Sequence, residues 1–514
     1  MVSRILQRNS VKYRNNVAIK DRDREYAYGE LKERADRLAG ALNSLGVGKE
    51  DRVAVLVKNS VEFVDVVFAS IQLGAVVVPI NFRLVEREIE YILRDSGAKI
   101  IICEPEYISM LLNLKPSLQK LSEVIATRDA VPGVLEYGNL LQGDYVCANQ
   151  RAISPDDLLY LMYTSGTTGM PKGAMLTNQN VFITALSLSV GLGLDSSFKM
   201  LLAAPLFHAG PNVVMISTLL LGGSVLLHRD FVPSEILRTI SEERVNGTFL
   251  APTMIQALLM VPEVKNTKFD SFKQLIYGAA PIPEALQQQA REVFGCQLVQ
   301  GYGLTESYGV LGLLLPADHS PDHPGAGCRE WLHCSVRIVD EQGKDVPVGE
   351  VGEIVASGPN IMQGYWNIPE ETSRAMKGGW LHTGDLGRMD RDGFIYIVDR
   401  KKDMIITGGE NVYPVEVELV LSGHPAVAQA AVIGVPDQYW GESVKALVVL
   451  KKEDAANEQE LIEFCRARLA KYKCPKTVEF RTALPITASG KIQKNILREE
   501  FHRGTDEVSM DILT

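Results

Sequence analysis

From Asp51 to Glu104 short apolar runs alternate with segments whose apolar residues recur every three or four positions, and no other feature of the chain constrains its fold as much. "DRVAVLV" reads as a buried strand, "VEFVDVVFASIQLGA" as a helix, "VVVPI" as a strand, "EREIEYILRDSG" as a helix and "AKIIICE" as a strand. Just upstream, Leu31, Ala35, Leu38, Leu42 and Leu45 share one helical stripe, with Gly46 as its C-cap. The rhythm returns in "VNGTFLAPTMIQALL", "FKQLIYGAAPIPEALQQQAREVFG" and "CQLVQGYGLTES". Such alternation predicts an α/β chain, with mostly parallel sheets covered by helices. With 514 residues, 46% of them hydrophobic, the core is large enough for more than one domain.

After about residue 330 the pattern changes to a smaller β-rich part, "SVRIVDEQGKDVP" and "VGEIVASG". In "GDLGRMDRDGFIYIVDR" a two-residue turn at Asp392 and Gly393 sets Asp385 opposite Arg400. On pattern alone that pair is equally a grip on a polar ligand and a cross-strand salt bridge. Beyond it the order helix, strand, strand, helix, strand describes a small α+β unit. Because the run Arg400 to Asp403 is charged throughout, the boundary is drawn there, giving domains 1–401 and 402–514.

The stretch "LMYTSGTTGMPKGAMLTNQN" gathers glycines, hydroxyl side chains and Lys172 after an apolar run. Freed backbone N–H groups, short donors and one ammonium make a cradle for polyphosphate. It is not the usual phosphate loop, since Pro171 precedes the lysine and Gly173 follows it. A plain Ser/Gly/Thr linker is the alternative.

The net charge of −10, from 63 acidic and 53 basic residues without a long basic run, argues against nucleic acid as a partner. Seven scattered cysteines without C-x-x-C spacing suggest neither a disulfide framework nor a zinc site, and fit a reducing cytoplasm. The N-terminus lacks the apolar core of a signal peptide. The most apolar stretch, "VVMISTLLLGGSVLLH", is interrupted at Ser217, Thr218, Gly222 and Gly223, so it is read as helix, glycine turn and strand and not as a transmembrane segment.

Taken in order, "YTSGTTGMPKGAMLTN", "PLFH", "YGAAP", "GYGLTE", "GWLHTGD", "DRKKDMIITGGENVYPVEVE" and "TASGKI" resemble the acyl- and aryl-CoA synthetases of the adenylate-forming superfamily nearly from end to end. The resemblance implies a large AMP-binding domain followed by a small mobile lid, with ATP, Mg2+ and coenzyme A as cofactors. In the implied reaction a carboxylate attacks the α-phosphate of ATP, pyrophosphate leaves, and the CoA thiol then displaces AMP from the acyl-adenylate.

Carried over by motif, Thr164, Ser165, Gly166, Thr167, Thr168, Gly169 and Lys172 would hold the departing phosphates, so the cradle is a phosphate loop that releases pyrophosphate. Gly278, Ala279, Ala280 and Pro281, with Tyr302 and Gly303, would form the adenine slot, and Asp385 and Arg400 would hold the ribose hydroxyls. Glu306 and Thr305 would hold magnesium, while His208 would line the carboxylate tunnel. Lys491 would reach the carboxylate and α-phosphate during adenylation. Gly408 and Gly409 in "TGGEN" would line the pantetheine tunnel during thioester formation, with Trp440 touching CoA and Lys402 as the hinge. Where some relatives carry Arg for the CoA phosphates, "KYKCPK" offers Cys474 between Lys473 and Lys476.

Leu304 and the general cast of motifs favour a medium- or long-chain fatty acid. Aryl or o-succinylbenzoyl acids, and a thiol on a carrier protein, are the alternatives. A homodimer stays open.

Overall fold

The computed structural model describes residues 1–129, 131–143, 145, 153–164, 171–280, 282–320, 322–401, 403–407, 410–437, 439–452, 455–486 and 492–508, the stretch 502–508 as helix backbone. The alternating segments form two sheets, and the C-terminal segments a third.

The first sheet runs Leu135–Glu136, Glu123–Ala126, Ile100–Cys103, Arg52–Leu56, Val76–Pro79, Leu158–Thr164, Lys172–Thr177, and is parallel up to its last, antiparallel pair. The second has parallel strands Val17–Asp21, Ser224–Leu227, Lys199–Leu202, Gly247–Leu250, Gln274–Gly278 and Gln297–Tyr302. Its edge then continues, antiparallel, through Gly312–Leu314, Cys328–Glu330, Phe394–Arg400, Trp380–Met389, Gly352–Ser357 and Ser335–Val339. The β-rich part is thus no separate sheet. It hydrogen-bonds onto the parallel one at Gly301 and Leu313, which carries Asp385 and Arg400 round to Tyr302.

Alternate residues of the buried strands serve different cores, because successive side chains point to opposite faces. Ile100, Ile102, Met200 and Leu202 enter one core that lies between the two sheets, whereas Ile101 and Leu201 face outward into others. Helices Val61–Leu73 and Ala209–Leu221 fill the shared core, so apolar residues lie on every side of them, and their buried Asp65 and Asn212 are paired, with Arg34 and Tyr308 respectively. The second of these ends at Gly222, φ +90°, before strand Ser224–Leu227, as its glycine pair predicts. Among the described residues no helix is long and apolar enough to cross a membrane.

The third sheet, Glu410–Val412, Ile405–Thr407, Gly441–Leu450, Val427–Asp437 with Thr477–Phe480, packs helices Pro414–Ser422, Glu458–Arg466 and Lys494–Val508; from Pro414 to Phe480 the order is the predicted one, with the hairpin Ile405–Val412 and the last helix added to it. Across the boundary to the larger part the Val415 N–H donates to Asp399 Oδ2 at 2.9 Å, while within the smaller unit Lys494 pairs with Glu418 at 2.8 Å and Arg498 pairs with Asp403. Burial pushes the Asp399 carboxyl up to about 6, against the lowering pull of Lys494.

Candidate functional site

At the carboxyl ends of Gln274–Gly278 and Gln297–Tyr302 two glycines are obligatory for steric reasons. A Cβ on Gly278 would lie 2.4 Å from the Gly301 carbonyl oxygen, and one on Gly303 2.5 Å from Gly309. Ala279 follows at φ +71° and is exposed. These close backbone approaches bring the two strand ends together where Tyr302, itself buried, follows Gly301. The Tyr302 hydroxyl donates to Asp385 Oδ2 at 2.8 Å, and Arg400 Nε lies 3.2 Å from Asp385 Oδ1. Burial, then the Asp385 charge, pushes the Tyr302 phenol far up, so it stays a donor.

Asp385 does face Arg400, though not through the predicted turn. The residues paired next to the turn are Met389 and Ile395, so the loop runs through Arg391, Asp392 and Gly393, the last at φ +79°. A bulge then shifts the register, between the pairs Gly387–Ile397 and Leu386–Asp399, with Val398 as the extra residue. The longer loop and the bulge cancel, and Asp385 returns opposite Arg400.

Thr164 and Lys172 are register partners at the ends of two antiparallel strands, so they pin the base of the glycine-rich connection. Lys172 is buried and forms an ion pair with Glu371, its ammonium 5.4 Å above the Tyr365 ring. The Tyr365 hydroxyl donates to Glu306 Oε1 at 2.7 Å. Glu306 and Thr305 lie in a single 3-10 turn that follows Gly303, and the Met362 N–H holds the Glu306 carbonyl at 2.8 Å. Lys172 and Glu306, far apart in sequence, are therefore joined through one aromatic ring.

Tyr365 and Glu371 are the site residues that sequence reasoning missed. Both belong to "GYWNIPEET", whose only signal was an aromatic pair before a proline-started acidic helix, Pro369–Ala375.

His208 is the N-cap residue of helix Ala209–Leu221, with its ring 4.3 Å from Phe207, which in turn meets Phe82 edge-on at 5.4 Å. One helical turn on stands Asn212. Its Oδ1 accepts from Tyr308 at 2.6 Å and Tyr160 at 3.1 Å, and its Nδ2 donates to the Leu206 carbonyl at 2.9 Å. All three side chains are fully buried. Gly309, φ +88°, brings its backbone against Ala209 and Gly210, and Phe249 closes on Gly210.

In the C-terminal unit Thr407 is buried, while Trp440 is half-exposed, edge-on to Tyr439, with Lys476 4.5 Å above its ring. Lys473 is committed to Glu416 and Cys474 is buried. The described cysteines are free and buried. Ser165, Gly166, Thr167, Thr168, Gly169, Pro281, Lys402, Gly408, Gly409 and Lys491 lie outside the described residues.

The AMP-binding enzyme family model matches residues 6–366, and that of the AMP-binding enzyme C-terminal domain residues 416–491. A feruloyl-CoA synthase from an Amycolatopsis species is 42% identical over 483 residues, covering 92% of this chain and 94% of that protein. The long-chain-fatty-acid–CoA ligase FadD13 of Mycobacterium tuberculosis is 37% identical over 490 residues, covering 93% and 94%. The crystal structure of the anthranilate CoA ligase AuaEII in complex with anthranoyl-AMP superposes with a TM-score of 0.92 at 31% identity and 98% coverage of both chains. The chain belongs to the AMP-binding enzyme family. Within it the chain is an acyl-CoA synthetase, an AMP-forming acid:thiol ligase.

Proposed function

We propose that the chain joins a compact, aryl-type carboxylic acid to coenzyme A through an acyl-adenylate. A carboxylate is a poor acylating agent, and attack on the α-phosphate of ATP gives it a good leaving group before the thiol arrives. The observation that carries the nucleotide reading is Asp385, buried yet held from two sides by Tyr302 and Arg400. A carboxylate has about four lone-pair positions, so it can take both ribose hydroxyls while keeping these two partners.

Lys172 would hold the departing phosphates. Glu306 and Thr305 supply hard oxygens that suit magnesium, with Glu306 oriented by Tyr365 through Oε1. When bound, magnesium would neutralise phosphate charge. Lys491 would serve adenylation and the "TGGEN" loop thioester formation, as residues 402–514 turn about Lys402.

The acid reading rests on the buried cluster one helical turn from His208. Tyr308, Asn212 and Tyr160 form a fully buried cluster of satisfied polar groups, and a rigid boundary of this kind would suit a flat ring better than a long chain. The identity to a feruloyl-CoA synthase agrees. A medium- or long-chain fatty acid is the second reading, favoured by the identity to a long-chain ligase. Acid-dependent AMP release with CoA, measured across benzoic and hydroxycinnamic acids and straight-chain acids from acetate to stearate, tests this. We expect kcat/KM to peak among the aryl acids, and a maximum at palmitate would overturn the compact-acid reading.

A further inference from the structure

The Lys172 side chain is 10% exposed and that of its partner Glu371 18%. Left alone, a charge so placed is costly, and Glu371 is its ion-pair partner among the described residues. The carboxylate divides its oxygens between two cations, Oε2 on Lys172 and Oε1 on Arg374, which is three residues along the same short helix and 74% exposed. Tyr365 does not share this freedom. Its ring lies under the ammonium while its hydroxyl is bound to Glu306, so the lysine's seat is tied to the sheet. Glu371 therefore has, in Arg374, a second cation onto which it can fall back.

We propose that Glu371 is a built-in counter-anion for the loop lysine: it occupies Lys172 when no polyphosphate is there, moves toward Arg374 when ATP binds, and returns to help expel pyrophosphate. This rests on the reading that Lys172 holds the phosphates. The physical basis is like-charge repulsion in a partly dry site, where a carboxylate beside a polyphosphate weakens its binding. Glu371 is thereby a positioning residue acting through Lys172.

The test is titration of inorganic pyrophosphate with magnesium into the full-length protein, together with inhibition of acyl-CoA formation by added pyrophosphate. Glu371→Gln keeps the shape and removes the charge, so it should bind pyrophosphate roughly tenfold tighter. Its turnover should also be more sensitive to pyrophosphate, with recovery on addition of inorganic pyrophosphatase. Arg374→Gln should act in the opposite sense. With its second cation gone, Glu371 stays on Lys172, and pyrophosphate affinity falls a few-fold, about what an exposed pair supplies.

Unchanged or weaker pyrophosphate binding in Glu371→Gln, or shifts of the same sign in both variants, would overturn the proposal. Should Glu371→Gln fail to fold, the exposed Arg374→Gln decides alone: weaker binding supports the counter-anion and unchanged or tighter binding refutes it. Lys172→Met separates the two levels. If it leaves pyrophosphate affinity intact, the reading of Lys172 fails. If it abolishes binding while Glu371→Gln has no effect, only the counter-anion fails.

Discussion

Tyr302 and Asp385 meet at 2.8 Å although 83 residues separate them, and that hydrogen bond ties the end of a parallel strand to the antiparallel hairpin that extends its sheet. The proposed nucleotide slot would therefore be built on the seam between the two strand patterns of one sheet.

Asp385→Ala is expected to weaken ATP binding and to slow both half-reactions, because in the proposed function Asp385 holds the ribose throughout. Loss of one such contact costs about 1–3 kcal/mol. ATP titration of the variant checks it, and unchanged affinity would leave Asp385 as a partner of Arg400 and Tyr302 alone.

Gly278→Ala puts a methyl group 2.4 Å from the Gly301 carbonyl oxygen, a backbone atom that cannot turn aside. Forcing the strands apart costs about 1–3 kcal/mol. The variant should melt lower and lose the stabilisation that AMP gives the parent protein. Melting curves with and without AMP report both effects, and an unshifted pair of curves would contradict the tight approach.

His333 predicts a pH dependence of stability. The Ser187 hydroxyl lies 2.5 Å from Nδ1 and the Val310 carbonyl 3.3 Å from Nε2, an arrangement that fits a neutral ring with its proton on Nε2. Burial lowers the ring's pKa from 6.5 to about 4. The unfolded chain therefore takes up this proton first as pH falls. The contribution is complete above pH 6.5, declines between 6.5 and about 4, and is gone below. Val310 closes the loop that begins at Gly303, so acid should loosen one wall of the site. His333→Gln should show a shallower fall of melting temperature across that window than the parent, and parallel curves would refute the assignment.

Lys491→Ala should separate the two half-reactions. A preorganised charge in a shielded site contributes on the order of 3–4 kcal/mol to a transition state, so acid-dependent ATP–pyrophosphate exchange should fall by roughly a hundredfold or more. Thioester formation from supplied acyl-adenylate and CoA should survive. Equal loss of both activities in a variant that melts normally would rule out a lid with two working faces.

Much of the architecture was legible because it is local. Strand and helix follow from the spacing of apolar residues within a few positions, as in "DRVAVLV" and "VEFVDVVFASIQLGA", and the glycine pair at Gly222 marked a turn that φ +90° confirms. The Asp385–Arg400 pairing was legible too, although the sequence concealed the three-residue loop and the bulge that together produce it. A bulge leaves no mark in a period-two pattern when a compensating residue sits in the turn.

The sequence by itself determined the alternating α/β plan, the positions of the motifs, and through them the family and its reaction. It did not determine the surroundings of the charged groups. Glu371 lies 199 residues from Lys172, and nothing in either segment's spacing points to the other. Only the tertiary structure could decide that pairing, because the signals that can be read from a sequence, apolar periodicity and turn or cap residues, act between near neighbours in the chain. An ion pair shielded from water depends instead on how a hairpin of the first sheet and the helix Pro369–Ala375 come to lie side by side.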